Sequence, residues 1–124
     1  MQLVYLKGHE GSHMEINTKK EAGKGIIVSV RGRIDSASTT ELEKVLAESM
    51  GRGEKVFVID LSEVNYISSA GLRSILIINK KLKEKQGLLM LSSLQDMVKE
   101  VFDISGSSSI IPIYESTETA FSSI

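Results

Sequence analysis

The chain has no cysteine and no tryptophan, and only one proline and two histidines among its 124 residues. Without cysteine there is no disulfide, no thiol nucleophile and no thiolate metal site, which fits a reducing, cytoplasmic setting. Both histidines, His9 and His13, fall near the amino terminus. From Met14 onward no Ser-His or Cys-His nucleophile and no histidine metal cluster can be assembled. Neither a G-x-x-x-x-G-K-S/T loop nor a G-x-G-x-x-G loop occurs. Carboxylates are plentiful, but no acid and base pair stands out from the rest. No apolar run approaches the ~20 residues that span a bilayer, so no direct membrane insertion is expected. Fifteen Lys and Arg against sixteen Asp and Glu give a net charge of -1. With no basic patch interleaved with aromatics, nucleic acid is not an expected partner. These absences argue against an enzyme and imply no cofactor and no metal.

What remains is long enough for one domain with one core. Gly11-Ser12-His13-Met14 resembles the scar of a cleavable expression tag. Residues 1–13 are therefore set aside as a tag remnant, and the domain is placed at 14–124. The other reading is a genuine leader, in which Leu3-Val4-Tyr5-Leu6 pairs as an edge strand.

The organising stretch is Lys55 to Leu72, KVFVIDLSEVNYISSAGL. Val56-Phe57-Val58-Ile59 is apolar at every position, as expected of a central strand covered on both faces. A loop is expected over Glu63 to Ile67. Ser68-Ser69-Ala70-Gly71 then opens a helix with apolar residues at Leu72, Ile75, Leu76, Ile78 and Leu82. Strand, loop and serines at a helix start is a place where open α/β sheets put function. Free N–H groups and the positive end of the helix dipole favour an anion there. Either serine also suits a plain N-cap. On the same helix Arg73, Ile77, Lys80 and Lys81 fall opposite the apolar face, so Ile77 stands alone among basic residues. A single exposed isoleucine is ordinary. Its place on the helix that Ser69 begins makes it a candidate contact.

Along the chain, Glu15 to Lys20 reads as an edge strand and Ile26 to Val30 as its hairpin partner across a glycine turn. A helix follows over Thr39 to Met50, with Asp35, Ser36 and Ser38 as caps. After the central unit come a strand at Leu88 to Leu91 and a helix at about Leu94 to Ile104. The apolar face of that helix is Leu94, Met97, Val98, Val101 and Phe102. A strand through Ile110 to Ile113, on an edge because of Pro112, and a helix from Ser116 to Phe121 complete the chain. The expected fold is α/β: a single mixed sheet, an antiparallel N-terminal hairpin followed by parallel βαβ units, packed with about four helices.

Asp60-Leu61-Ser62, Val64, Tyr66-Ile67 and Ser68-Ser69-Ala70-Gly71-Leu72 resemble the signature of STAS domains, the anti-sigma factor antagonists. That family's pattern reads D/N-L-S-x-V-x-F/Y-I/M-D-S-S-G-L. Gly32-Arg33-Ile34-Asp35 resembles the family's G-x-L/I-D motif, with Arg33 where Glu is frequent. Phe102-Asp103-Ile104-Ser105-Gly106 resembles its F/L-F-D/E-x-S/T-G segment. The resemblance covers Ile16 to Phe121. It implies a bacterial protein-binding module in transcription regulation. Such a module, unphosphorylated, binds an anti-sigma factor that is also a serine kinase using ATP and Mg²⁺, and so frees a sigma factor. A PP2C-type phosphatase reverses the modification. Carried over residue by residue, the phosphorylated serine is Ser69, with Ser68 the second choice. The implied partner contacts are Asp35, Ser68, Ala70, Gly71, Arg73 and Ile77. Some members are reported to bind nucleotides, and weak binding at this helix start is a lesser expectation. The chain departs from the pattern at Ser68, where many phosphorylated members carry Asp. That departure favours an alternative: an unswitched STAS scaffold subunit of a stress-signalling or transporter complex.

Overall fold

The computed structural model describes residues 2–7 and 13–124, with side chains from Met14 onward. Strands β1 (Gln2–Lys7), β2 (His13–Glu21) and β3 (Gly25–Ile34) come first, followed by helix α1 (Thr39–Gly51). Strand β4 (Val56–Ile67), helix α2 (Ser69–Glu84), strand β5 (Leu88–Ser92) and helix α3 (Asp96–Ile104) form the middle. A 3-10 turn (Ser107–Ser109), strand β6 (Ile113–Tyr114) and helix α4 (Thr117–Ser122) close the chain.

The six strands stand in the sheet in the same order as in the chain. The first two pairings are antiparallel and the remaining three parallel. Each parallel crossover advances the sheet in one direction. Right-handed crossovers that never reverse direction put their helices on one face. Accordingly Leu42 and Leu46 of α1, Ile75, Ile78 and Leu82 of α2, and Val98 and Phe102 of α3 share one core. Phe57, Ile59 and Leu61 of β4 join them from the sheet. The other face is covered by α4, whose Ala120 and Phe121 pack on Val58 and Met90. The unbroken apolar run of β4 thus has a simple cause: alternate side chains serve two separate cores.

The expected mixed sheet, hairpin, parallel units and four helices are all present. Several details differ. Glu15 to Lys20 lies in an interior strand rather than on an edge, because β1 pairs outside it from Gln2↔Thr18 to Lys7↔His13. Residues 63–67 form strand rather than loop. Here β3 continues to Ile34, and its pairing with β4 steps over irregularities between Ser29 and Arg31 and between Gly32 and Arg33. Such bulges break the alternation that marks a strand in sequence while keeping the ladder. Helix α2 ends at Glu84, and Gln86 rather than the glycine after it takes the left-handed turn, at φ 61°. The α3 helix starts at Asp96, and only Val98 and Phe102 of its expected apolar face are buried in it. Met97, expected in the core, is 75% exposed. The last strand is two residues long, with Ile110, Ile111 and Pro112 all outside it; it does occupy an edge of the sheet, though Pro112 is not part of it.

Candidate functional site

The site is built where β3 and β4 end side by side. Ile34 and Ile67 are register partners and both are buried. One residue on, the Ser68 N–H donates to the Ile34 carbonyl at 2.9 Å. This ties the start of α2 to the end of β3. Ser68 is extended (φ -88°, ψ 172°), and its hydroxyl accepts from the Gly71 N–H at 3.1 Å. Ser68 is therefore the N-cap of α2, a position where serine is among the preferred residues. Its carbonyl accepts the first helical hydrogen bond, from Leu72 N–H at 2.9 Å.

Gly71 is buried in this junction. A Cβ at Gly71 would lie 2.5 Å from the Ile34 carbonyl oxygen, 2.9 Å from Ile34 Cγ2 and 3.0 Å from Ile67 Cγ1. Close approach of helix to strand is what requires glycine here, not an unusual backbone angle. With Ser68 and Gly71 turned inward, Ser69 and Ala70 turn outward and are exposed. The first turn of α2 contains no acidic residue. Its positive end is not offset by a carboxylate of its own first turn.

Asp35 follows Ile34 and is half-buried. Its Oδ1 accepts from the Ala37 N–H at 3.1 Å, and its Oδ2 lies 3.6 Å from Arg33 Nε. The Ser38 hydroxyl donates to the carbonyls of Arg33 and Asp35, each at 3.2 Å. Asp35 thus shapes the turn that leads into α1. The bond from Ser68 to Ile34 places that turn against the start of α2.

Asp35, Ser68, Ser69, Ala70 and Gly71 are brought together in this junction. Arg73 and Ile77 lie one and two turns further along α2, in line with Ser69 and exposed. One pairing beside the junction was not foreseen from the sequence. The Arg33 guanidinium stacks over the Tyr66 ring, 4.1 Å from its centroid. The signal for this pair is the register Arg33↔Tyr66, which only the strand continuation past Asp60 creates. Beyond Tyr66, a groove of about 130 Å³ runs between the end of β4 and α3, lined by Asn65, Tyr66, Ile67, Met97, Val98 and Val101. Nearby on β3, the charge of Glu63, and then that of Glu15, hold the Arg31 guanidinium above its usual range. Among the described residues no group of three or more His, Cys, Asp or Glu is placed to hold a metal ion. No described helix is long and apolar enough to cross a membrane.

The two serines can be separated by experiment. Ser68→Ala should lose about 1 kcal/mol of unfolding free energy, the usual worth of a side-chain N-cap. Ser69→Ala should lose none beyond a few tenths, since its side chain is exposed. Urea denaturation followed by circular dichroism reads both. Equal losses would contradict the assignment of the cap to Ser68.

The model of the STAS domain matches residues 13–120. The candidate anti-sigma factor antagonist BtrV of Bordetella bronchiseptica is 44% identical over 95 residues, covering 77% of this chain and 82% of its own. An anti-sigma factor antagonist from Mycobacterium paratuberculosis has the same fold. Its TM-score is 0.80 at 22% identity, over 90% of this chain and 93% of that one. So has the Bacillus cell fate determinant SpoIIAA, solved in its phosphorylated form. Its TM-score is 0.67 at 14% identity, over 85% and 95% of the two chains. The signature at Asp60 to Leu72, the junction it builds and these matches agree: the chain belongs to the STAS domain family, among relatives named as anti-sigma factor antagonists.

Proposed function

We propose that the chain is an anti-sigma factor antagonist switched by phosphorylation of Ser69. The observation that carries this reading is the division of labour between the serines. The Ser68 hydroxyl is occupied by the cap, while Ser69 presents its side chain to solvent on the first residue of the helix. A kinase needs an accessible hydroxyl, and Ser69 offers one.

A phosphate on Ser69 would add about -1.5 to -2 charges. At a helix N-terminus such charge is stabilising by roughly 0.3–1 kcal/mol, so the chain's own fold tolerates it. The switch therefore acts across an interface. Unmodified, the chain presents Ser69, Ala70, Arg73 and Ile77 of α2, flanked by Asp35, to an anti-sigma factor serine kinase. Ser68 and Gly71 contribute by holding this surface in shape. The bound kinase releases its sigma factor. Phosphorylation repels or displaces the kinase, and a PP2C-type phosphatase restores binding, all in the cytoplasm.

The unswitched scaffold has one observation in its favour: Ser68 replaces the Asp that many phosphorylated members carry. The cap removes part of its force, because Ser and Asp are nearly equal at that position. The test is phosphorylation in vitro with Mg-ATP, using the serine kinase that the chain captures from its own host. Wild type and Ser68→Ala should each take up one phosphate, and Ser69→Ala none. Incorporation into Ser69→Ala but not into Ser68→Ala would overturn the assignment.

A further inference from the structure

Helices α2 and α3 each leave apolar side chains in water, and the charges around them are opposite. On α2, Ser69, Arg73, Ile77 and Lys80 follow at helical spacing and all are exposed, with Lys81 beside them. Ile77 is 37% exposed in this basic setting. On α3, Met97, Glu100, Val101 and Ile104 stand at i, i+3, i+4 and i+7. Met97 is 75% and Ile104 79% exposed, and Val101 is half-buried. Four residues at that spacing are the hole that receives one side chain of a facing helix. The apolar groove at Tyr66 and Met97 continues the hole toward β4.

The surround of that hole is acidic. Lys99 and Asp103 neutralise one another at 3.1 Å. Asp96 and Glu100 are exposed and, among the described residues, form no ion pair. The occupant that α3 calls for is an aliphatic side chain on a helix, bracketed by basic residues. The outer face of α2 has this chemistry. The two stripes also match in length: Arg73 to Lys80 and Met97 to Ile104 each rise ~10.5 Å along their helix. Within one molecule both helices lie on the same face of the sheet and turn these stripes outward, so the two can meet only between molecules.

We propose that α2 of one copy docks on α3 of a second copy, with Ile77 entering the hole formed by Met97, Glu100, Val101 and Ile104. Arg73 and Lys80 then reach Asp96 and Glu100. Each copy carries both surfaces, its own α2 and its own α3, so the contact either closes as a two-fold pair or adds copies head to tail. It also covers the α2 surface that the kinase would use, so self-association and kinase binding compete. The contact depends on the fold and its surface charges, and stands whether or not Ser69 is ever phosphorylated.

Sedimentation velocity on the full chain, over a range of concentrations at low and high salt, tests this. The wild type should gain mass with concentration, less so at high salt. Ile77→Glu and Met97→Lys should each weaken self-association by about tenfold or more, the scale expected for a central anchor. Both positions are exposed, and unchanged thermal melting confirms that the variants fold. An equimolar mixture of the two should form a dimer and stop there, since each supplies the face the other has lost. A wild type that stays monomeric at every concentration overturns the proposal. So does a mixture that stays monomeric. Self-association by Ile77→Glu alone equal to wild type would overturn it too, by pointing to a symmetric α3 contact.

Discussion

Ser69→Asp should bind the anti-sigma factor kinase roughly 100-fold more weakly than wild type, about 2.7 kcal/mol. Placing like charges in contact across an interface costs several kcal/mol. The substituted carboxylate carries one charge rather than nearly two, so the phosphorylated protein should lose more. The loss belongs to the interface and not to the fold. Ser69 is the first residue of α2, where a negative charge meets the positive end of the helix. Ser69→Asp should accordingly melt no lower than wild type. Two controls sharpen the measurement. Ser69→Ala keeps the surface uncharged and should bind within a few-fold of wild type. Ser68→Asp keeps a good cap and restores the acid that the family often carries there. It too should bind within a few-fold, because residue 68 is turned into the junction rather than toward the partner. Titration calorimetry on the four proteins reads all of this. A Ser69→Asp variant as tight as wild type would remove the electrostatic basis of the switch.

Gly71→Ala should destabilise the fold by about 3 kcal/mol, at the upper end of the usual overpacking range. The added methyl would meet the Ile34 carbonyl oxygen at 2.5 Å. That oxygen is not free to retreat, since it also accepts from the Ser68 N–H at 2.9 Å. The other near atoms, on Ile34 and Ile67, belong to buried side chains in the same core. The clash is relieved only by moving α2 away from the strand ends. That breaks the Ser68–Ile34 bond and shifts Ser69 relative to Asp35. For a domain of this size the loss corresponds to a melting temperature lower by roughly 10 °C. The same substitution at Gly51, where a Cβ would meet nothing within 4 Å, should cost far less and serves as the control. Equal effects at Gly51 and Gly71 would contradict the close-approach account. The glycine of the family signature is thereby tied to the geometry of the site.

How much was legible in the sequence follows from which signals survive without tertiary context. The central strand announced itself because Val56 to Ile59 serves two cores at once, leaving no polar position between. The α2 helix was equally plain: serine before it and a long 3-4 repeat within it. The buried side centres on Ile75, Ile78 and Leu82, with Leu72 and Leu76 only packed at its margin. The end of β4 was not legible. Glu63, Asn65 and Tyr66 are exposed, and the irregular pairing with β3 removes the period-two pattern that would have marked a strand. Without that continuation, nothing in sequence brings Arg33 to Tyr66.

The α3 helix shows a different limit. Its apolar residues occupy more of its circumference than one buried face needs. In nine residues, periodicity alone does not say which stripe the sheet takes. The sheet takes Val98 and Phe102 and leaves Met97 and Ile104 outside. Nor could sequence choose between Ser68 and Ser69, since both suit a helix start. That choice is made by the hydrogen bond from Gly71 N–H to the Ser68 hydroxyl.

The most direct test of the central claim is the phosphorylation state of the chain in its own cells. Intact mass with site mapping, on protein recovered during growth and under stress, reads it without assumptions about partners. One phosphate is expected, on Ser69, with an occupancy that changes between the two conditions. Protein without phosphate in both conditions, or phosphate on Ser68 with Ser69 unmodified, would contradict that claim.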